Sequence, residues 1–215
     1  DHFNIIKLAG RPFETITDMH NCIVDRVNAV VQPYDKVYHL GDVTLERRDP
    51  GRLANVMRRM NGRWRLILGN HDHLSAPDYL AAGFEKVLSM RELNGILFTH
   101  IPIHPAQFTR FRGNCHGHVH AHPSPEGPYL NVSVEAIDYT PISLEEVSRR
   151  LDDKYRRWIG QRKGSTCDQP RNTPSGEDTT PQTSSCLRRL GRRWVRCVPV
   201  PRRHSRCPTS PTHPD

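Results

Sequence analysis

Four polar blocks, three of which directly follow short apolar runs, constrain this chain more than any other feature of its sequence. The blocks contain Asp42, Asn70, His100 and the pair His118 and His120. In an α/β protein the strand ends present reactive side chains, because the sheet is rigid while the loops stay accessible. One carboxylate, one amide and three imidazoles brought together would form a mixed nitrogen and oxygen site for transition-metal ions.

The apolar periodicity predicts alternating helices and strands in the first half of the chain and paired strands in the second. Helical spacing over residues 16–31 ends at Pro33. An Asn-Gly turn at positions 94 and 95 predicts that residues 84–90 and 95–99 pair as strands. This order indicates a layered α/β domain with a central mixed sheet. The other predicted elements are strands at 36–40, 65–68 and 129–134, and helices at 53–60, near 79–82 and from 143 toward 158.

Composition divides the chain into a folded domain over residues 1–160 and a tail over residues 164–215. The tail is basic and rich in Pro, Ser and Arg, so we expect it to be disordered. Residues 1–150 hold 17 Lys and Arg against 17 Asp and Glu, so the net charge of +8 resides in the remainder. Nucleic acid is therefore a less favoured partner of the domain than a small phosphate ester.

The cysteine pattern and the hydropathy exclude two broad classes of protein. The six cysteines form no Cys-x-x-Cys, and only Cys22 and Cys115 lie in the domain, so neither a zinc ribbon nor a disulfide scaffold is expected. Cys115 is expected in a loop beside the metal site, with metal ligation as the alternative. No stretch approaches the ~20 apolar residues of a membrane span, and no signal peptide is visible. We therefore expect a cytoplasmic protein without a membrane partner.

The order of the four blocks resembles the calcineurin-like metallophosphoesterases, in particular the small single-domain type of phages and bacteria. The matching blocks are Gly41-Asp42, Gly69-Asn70-His71-Asp72, His100 and Gly117-His118-Val119-His120. The resemblance covers residues 1 to about 150. It implies a four-layer αββα sandwich, in which two mixed β-sheets are flanked by helices.

The resemblance also implies a role for each block. Asp42 would bridge two divalent cations, and Asn70, His100 and His118 would complete the second metal site. His120 would belong to the first metal site. His71 would protonate the leaving alkoxide, and Asp72 would orient and charge-stabilise His71.

One departure from the family pattern concerns the first metal site. The family opens with Asp-x-His on its first strand, whereas this chain begins Asp1-His2-Phe3. We expect the chain to begin just after that motif, which indicates an N-terminal truncation. A natural loss of one metal site is the alternative.

The function implied is that of a hydrolase that cleaves phosphomonoesters or phosphodiesters through a metal-bridging hydroxide at a two-metal site. Two cations can neutralise the anionic phosphoryl oxygens and clamp an in-line displacement. Mn, Fe, Zn and Ni all suit His, Asp and Asn ligands, and Mn is expected to be most effective in vitro. The alternatives are a nuclease of the same family and a catalytically dead module that binds metal or phosphate. The motifs address the phosphate, so they leave the substrate and the oligomeric state open.

Other polar residues near the blocks are expected to be peripheral. Arg110 and Arg112 precede the Gly-His-x-His block and could contact a substrate phosphate or simply face solvent. Several histidines flank the motifs and are expected in loops, namely His73, His116 and His122, while His39 and His104 have no assigned role.

Overall fold

A computed structural model describes residues 3–164 of the chain. Asp1, His2 and the predicted tail beyond Gly164 lie outside the described residues. The helices are α1 Phe3–Leu8, α2 Ile16–Val30, α3 Gly51–Met57, α4 Ala76–Ala81 and α5 Leu144–Gly164, with a 3-10 helix at Pro105–Thr109. The strands are β1 Lys36–His39, β2 Arg63–Ile67, β3 Lys86–Leu88, β4 Arg91–Leu93, β5 Ile96–Thr99, β6 Gly113–His116 and β7 Tyr129–Asn131.

Helix α2 forms where the apolar periodicity predicted it. Thr15 caps its N-terminus, because its side chain accepts a hydrogen bond from the backbone N–H of Asp18. Met19, Val24 and Val27 form the buried face of the helix. The chain then turns extended at Val31, just before Pro33, and enters β1.

The first sheet has the strand order β1-β2-β3, and its pairs are parallel. Successive residues of β2 point to opposite faces, so Leu66 packs in one core and Ile67 in another. The first core joins this sheet to helices α2, α3 and α4. Its buried members are Val27, Val31, Leu53, Met57, Trp64, Leu66, Leu74, Tyr79, Ala82 and Phe84.

The second sheet has the strand order β4-β5-β6-β7, with β4 and β5 antiparallel and the other pairs parallel. It faces the first sheet, and the rings of Tyr38 and Phe98 lie 6.4 Å apart across the second core. Helix α5 contacts β6 and β7. The buried members of this second core are Ile67, Ile96, Phe98, Cys115, Leu130, Val147 and Leu151.

The predicted α/β sandwich is confirmed, with two corrections to its strands. Only the second sheet is mixed, since the described strands of the first are all parallel. The Asn-Gly turn does join two antiparallel strands, but these are the short β4 and β5. The segment predicted to pair with β5 instead contributes β3, which lies beside β2. The strand β6 was not predicted. Among residues 3–164 no helix is long and apolar enough to cross a membrane.

Candidate metal centre

The carboxyl ends of four strands bring the four polar blocks to one place. Asp42 follows β1, Asn70 follows β2, His100 follows β5 directly, and His118 lies two residues beyond β6. Strands β1 and β2 are parallel neighbours, and so are β5 and β6, so each pair presents its carboxyl ends at one edge. The site therefore takes two side chains from each sheet.

The ring nitrogen Nε2 of His100 is the centre of this cluster. It lies 3.0 Å from Oδ1 of Asn70, 3.1 Å from Nδ1 of His118 and 3.2 Å from Oδ2 of Asp42. Asp42, His100 and His118 each offer one ligand atom, and these atoms lie within 4.8 Å of one another. His100 is buried, whereas Asn70 and His118 are exposed, so the cluster opens to solvent on one side.

The orientation of the His100 ring is fixed from behind. Its Nδ1 lies 2.6 Å from the carbonyl oxygen of Leu40, which can only accept a hydrogen bond. Nδ1 therefore carries a hydrogen, and in the neutral ring Nε2 presents its lone pair to the cluster. Burial alone would lower the pKa of His100, but the hydrogen bonds to Asp42 and Leu40 outweigh burial and raise it.

The carboxylate of Asp42 is held in the ionised form. Burial would raise its pKa, but hydrogen bonds from His100 and from the backbone N–H of His71, at 2.9 Å from Oδ1, lower it overall. The pKa of His118 is lowered, first by partial desolvation of its largely exposed ring and then by the nearby His100. His118 and Asp42 therefore favour the protonation states that ligate metal.

Two of these residues have an unusual backbone. Asp42 has a φ of 55° and His118 a φ of 69°, both in the left-handed region. Residues other than glycine reach this region at a cost of about 1–3 kcal/mol, and such strain clusters at functional sites. The Asp42 and Asn70 loops also approach closely, since a Cβ on Gly69 would meet the Asp42 carboxylate. Only glycine fits at position 69.

Asp72 ties these two loops together. Its Oδ2 accepts the backbone N–H groups of Asp42 and Gly69, each at 2.8 Å, and its Oδ1 accepts that of Val43 at 2.9 Å. This arrangement differs from the orientation of His71 that was predicted for Asp72. The His71 side chain itself is exposed at the rim of the cluster, and its ring lies 6.2 Å from the ring of His73.

His120 lies outside the group formed by Asp42, His100 and His118. Its Nδ1 is 3.1 Å from Oε1 of Glu135, which also pairs with Arg11. Of the five predicted metal ligands, the structure therefore brings four together and places the fifth in a neighbouring cluster.

Three expectations about peripheral residues are corrected. Cys115 lies in β6 and is buried, and burial raises the pKa of its thiol, which disfavours the thiolate needed for ligation. His116 is also a buried strand residue, hydrogen-bonded to Ser124. The guanidinium of Arg112 pairs with Asp152 of α5, so it braces a helix.

Sequence reasoning overlooked two contributors to this region. The carbonyl of Leu40 sets the ring of His100, and no side-chain pattern could reveal a backbone acceptor. Glu135 follows β7, so the strand-end rule that found Asp42 would also have found it.

Comparison with known proteins identifies relatives but assigns no activity. Over 161 residues the chain is 32% identical to the uncharacterized protein MJ1445 of Methanocaldococcus jannaschii, which covers 71% of this chain and 86% of that protein. The crystal structure of the protein of unknown function AQ665 from Aquifex aeolicus matches with a TM-score of 0.53 and 27% identity. That match covers 69% of this chain and 92% of AQ665. A scan against protein-family models finds no match.

Proposed function

We propose that this chain, which belongs to the same family as the uncharacterized protein MJ1445 of Methanocaldococcus jannaschii, is a metal-dependent hydrolase of phosphate esters. We further propose that it is a calcineurin-like metallophosphoesterase. The observation that carries the proposal is the convergence of Asp42, Asn70 and His118 on Nε2 of His100, at 3.0–3.2 Å.

The donor set of this cluster fits a divalent cation. Nδ1 of His100 gives its hydrogen to Leu40, so Nε2 of the neutral ring faces the oxygens of Asp42 and Asn70 as a third acceptor. Acceptors packed at hydrogen-bond distance repel one another unless a proton or a cation lies among them. One carboxylate oxygen, one amide oxygen and two imidazole nitrogens suit Mn, Fe, Zn or Ni.

The chemistry that we propose divides between the cations and the side chains. Two bound divalent ions would supply positive charge that offsets the anionic phosphoryl oxygens of an ester. Asp42, Asn70, His100 and His118 would hold one ion, and His120 would contribute to the other. His71 lies at the exposed rim, where a ring nitrogen can donate a proton to the departing alkoxide.

Asp42 and His71 are kept in register by the protein backbone. The N–H of His71 donates to Oδ1 of Asp42, so the residue that would hold the cation fixes the main chain of the proposed proton donor. Asp72 then fixes both loops through three backbone N–H groups. Because this frame exists before substrate binds, little ordering is required during the reaction.

The cytoplasmic location expected from the sequence stays a prediction.

A panel of esters that share one leaving group tests the proposed reaction class. Purified chain loaded with Mn²⁺ is assayed with bis(p-nitrophenyl) phosphate, p-nitrophenyl phosphate and p-nitrophenyl acetate, with and without excess chelator. We expect chelator-sensitive hydrolysis of at least one phosphate ester and none of the acetate. Metal binding without phosphate-ester turnover would favour a binding module, and cleavage confined to DNA or RNA would favour a nuclease.

A further inference from the structure

The ring of His120 is held by a buried ion pair that lies beside the four-ligand cluster. Oε1 of Glu135 accepts from Nδ1 of His120 at 3.1 Å and from Nε of Arg11 at 2.9 Å. A second guanidinium nitrogen of Arg11 lies 2.8 Å from the same oxygen. The side chain of Glu135 is 8% exposed, that of Arg11 is 12% exposed and that of His120 is 43% exposed. The two buried groups therefore lie behind an accessible imidazole.

The backbone of His120 is also fixed by the segment that carries Glu135. His120 has a φ of 50°, and its carbonyl accepts a hydrogen bond of 2.7 Å from Nδ2 of Asn131. Oδ1 of Asn131 in turn accepts the backbone N–H of Ser133 at 2.9 Å. Residues 131–135 thus hold both the main chain and the ring of His120 in a strained conformation, which a merely solvated histidine would not require.

The chemistry of Glu135 determines which nitrogen of His120 carries a hydrogen. Two guanidinium nitrogens of Arg11 lie 2.9 and 2.8 Å from Oε1 of Glu135, and this ion pair keeps the carboxylate ionised. An ionised carboxylate can only accept, so Nδ1 of His120 must donate. In the neutral ring Nε2 then carries the lone pair and is the atom available to a ligand.

The two oxygens of the Glu135 carboxylate differ in their hydrogen bonding. Among residues 3–164, Oε2 is buried and has no hydrogen-bond partner. A structural ion pair would normally satisfy both oxygens, because an unsatisfied buried acceptor is costly. Two guanidinium nitrogens of Arg11 and Nδ1 of His120 instead converge on Oε1, so Arg11 and His120 compete for one atom.

We propose that Glu135 and Arg11 are positioning residues for His120, which they hold with Nδ1 protonated and Nε2 free to bind a cation. The inference rests on the proposed function and names the residues that prepare its second ion. A carboxylate behind a metal-binding histidine fixes its tautomer, and loss of such a partner typically weakens metal affinity about 10- to 100-fold.

The test reads the His120 ring directly and needs no turnover. Long-range ¹H–¹⁵N spectra of the metal-free chain at about pH 8 give the tautomer of each histidine, and His120 is assigned from its absence in His120→Gln. We expect the Nδ1–H form in the wild type, and a shift of Nε2 on titration with Zn²⁺. Glu135→Leu should lose the Nδ1–H preference and bind Zn²⁺ at His120 about 10- to 100-fold more weakly.

Two further variants separate positioning from general damage. Glu135→Gln retains an acceptor oxygen and should keep the Nδ1–H form. Asp138→Asn removes an exposed charge shortly after Glu135 in the chain and should change neither the His120 tautomer nor its Zn²⁺ affinity. Three results would each overturn the proposal. They are a wild-type His120 ring in the Nε2–H form, an Nε2 signal that Zn²⁺ does not shift, and a Glu135→Leu chain with the tautomer and Zn²⁺ affinity of the wild type. If Glu135→Leu does not fold, the wild-type spectra decide. Failure of the hydrolase assay alone would leave these readings unchanged, so the two proposals fail separately.

Discussion

His71 touches the metal centre through its main chain, while its side chain stays exposed at the rim. His71→Asn keeps the backbone N–H that holds Asp42, so we expect unchanged metal stoichiometry. Turnover should fall about 10²–10⁴-fold, the usual contribution of general acid catalysis. The loss should be smaller for esters with an acidic leaving group such as nitrophenolate, which need little protonation. Metal analysis and rates across a series of leaving groups measure both effects.

The opposite pattern would assign His71 to the metal. If His71→Asn releases metal yet turns over normally at saturating Mn²⁺, then the proposed proton donor is a ligand. Asp138→Asn, on an exposed carboxylate with a left-handed backbone, is the control for expression and folding.

We expect His100 to make cation binding depend on pH. Its pKa in the folded, metal-free chain is raised above 6.5, because the hydrogen bonds to Asp42 and Leu40 outweigh burial. The stability that follows from this shift is complete below pH 6.5 and is lost as the pH rises through the folded pKa. Metal affinity has the opposite pH dependence and rises with pH, because His100 must lose its proton before it can bind a metal ion.

We therefore expect Mn²⁺ affinity to increase as the pH rises through the folded pKa of His100, with net proton release. Titration calorimetry in two buffers of different ionisation enthalpy measures the affinity and the number of protons released. An affinity that stays constant as the pH rises above 6.5, with no proton release, would show that His100 does not compete for protons at the site.

Asp72 acts at the level of the elements, because it joins the loop after β1 to the loop after β2. Asp72→Asn replaces one carboxylate oxygen with an NH2 group. The remaining oxygen has two lone pairs, so it can accept only two of the three backbone N–H groups that Asp72 holds. We expect the free energy of unfolding to fall by about 1–3 kcal/mol and metal affinity to fall with it. Urea unfolding and calorimetry provide the measurements.

The same variant distinguishes the two roles considered for Asp72. If stability and metal affinity are unchanged while the dependence on leaving-group acidity is altered, Asp72 orients His71 as the resemblance implied. Losses of both with an unaltered leaving-group dependence support the loop contacts.

Sequence patterns located the strands whose local turn and hydropathy signals agree with their pairing in the folded chain. The Asn-Gly turn specifies the short hairpin of β4 and β5, and the apolar run before Asn70 specifies β2. β3 was assigned to the wrong sheet, because a turn fixes only its flanking residues and not the sheet that an earlier segment joins. β6 has the sequence Gly-Asn-Cys-His, which lacks β-branched or aromatic residues, so its pairing with β5 and β7 determines its structure.

Four of the five side chains predicted as metal ligands lie together in the structure. Asp42, Asn70 and His100 were found because a polar residue after an apolar run marks a strand end, whereas His118 was found through the Gly-His-x-His block. Their distances depend on how two sheets face each other, which no local pattern contains. The ring tautomer of His100 depends on the Leu40 carbonyl, and a backbone acceptor is invisible in a side-chain pattern.

At the scale of the whole molecule, the candidate ligands cross the interface between the two sheets. Asp42 and Asn70 follow strands of the first sheet, while His100 and His118 follow strands of the second. A bound cation would therefore link the sheets, and it would bind the folded chain in preference to the unfolded chain. We expect Mn²⁺ to raise the melting temperature, with about 2.7 kcal/mol of stabilisation at one hundred times the dissociation constant.

Calorimetric melting with increasing Mn²⁺ measures this linkage, with Asp42→Asn as the matched variant. Asparagine tolerates the left-handed backbone of Asp42, so the exchange removes charge with little added strain. A melting temperature that does not change with Mn²⁺, or that rises equally in Asp42→Asn, would place any bound ion elsewhere.

The central claim is that the converging ligands hold the ion that phosphate-ester hydrolysis requires. Its most direct test is the rate of bis(p-nitrophenyl) phosphate hydrolysis as a function of Mn²⁺, measured beside bound Mn²⁺, for wild type, Asp42→Asn, His118→Asn and the control Asp138→Asn. We predict Mn²⁺-dependent turnover in the wild type and the control, and parallel loss of bound metal and turnover in the other two. Turnover that survives in Asp42→Asn and His118→Asn, or a wild type that binds Mn²⁺ at these ligands and hydrolyses no phosphate ester, would contradict the claim.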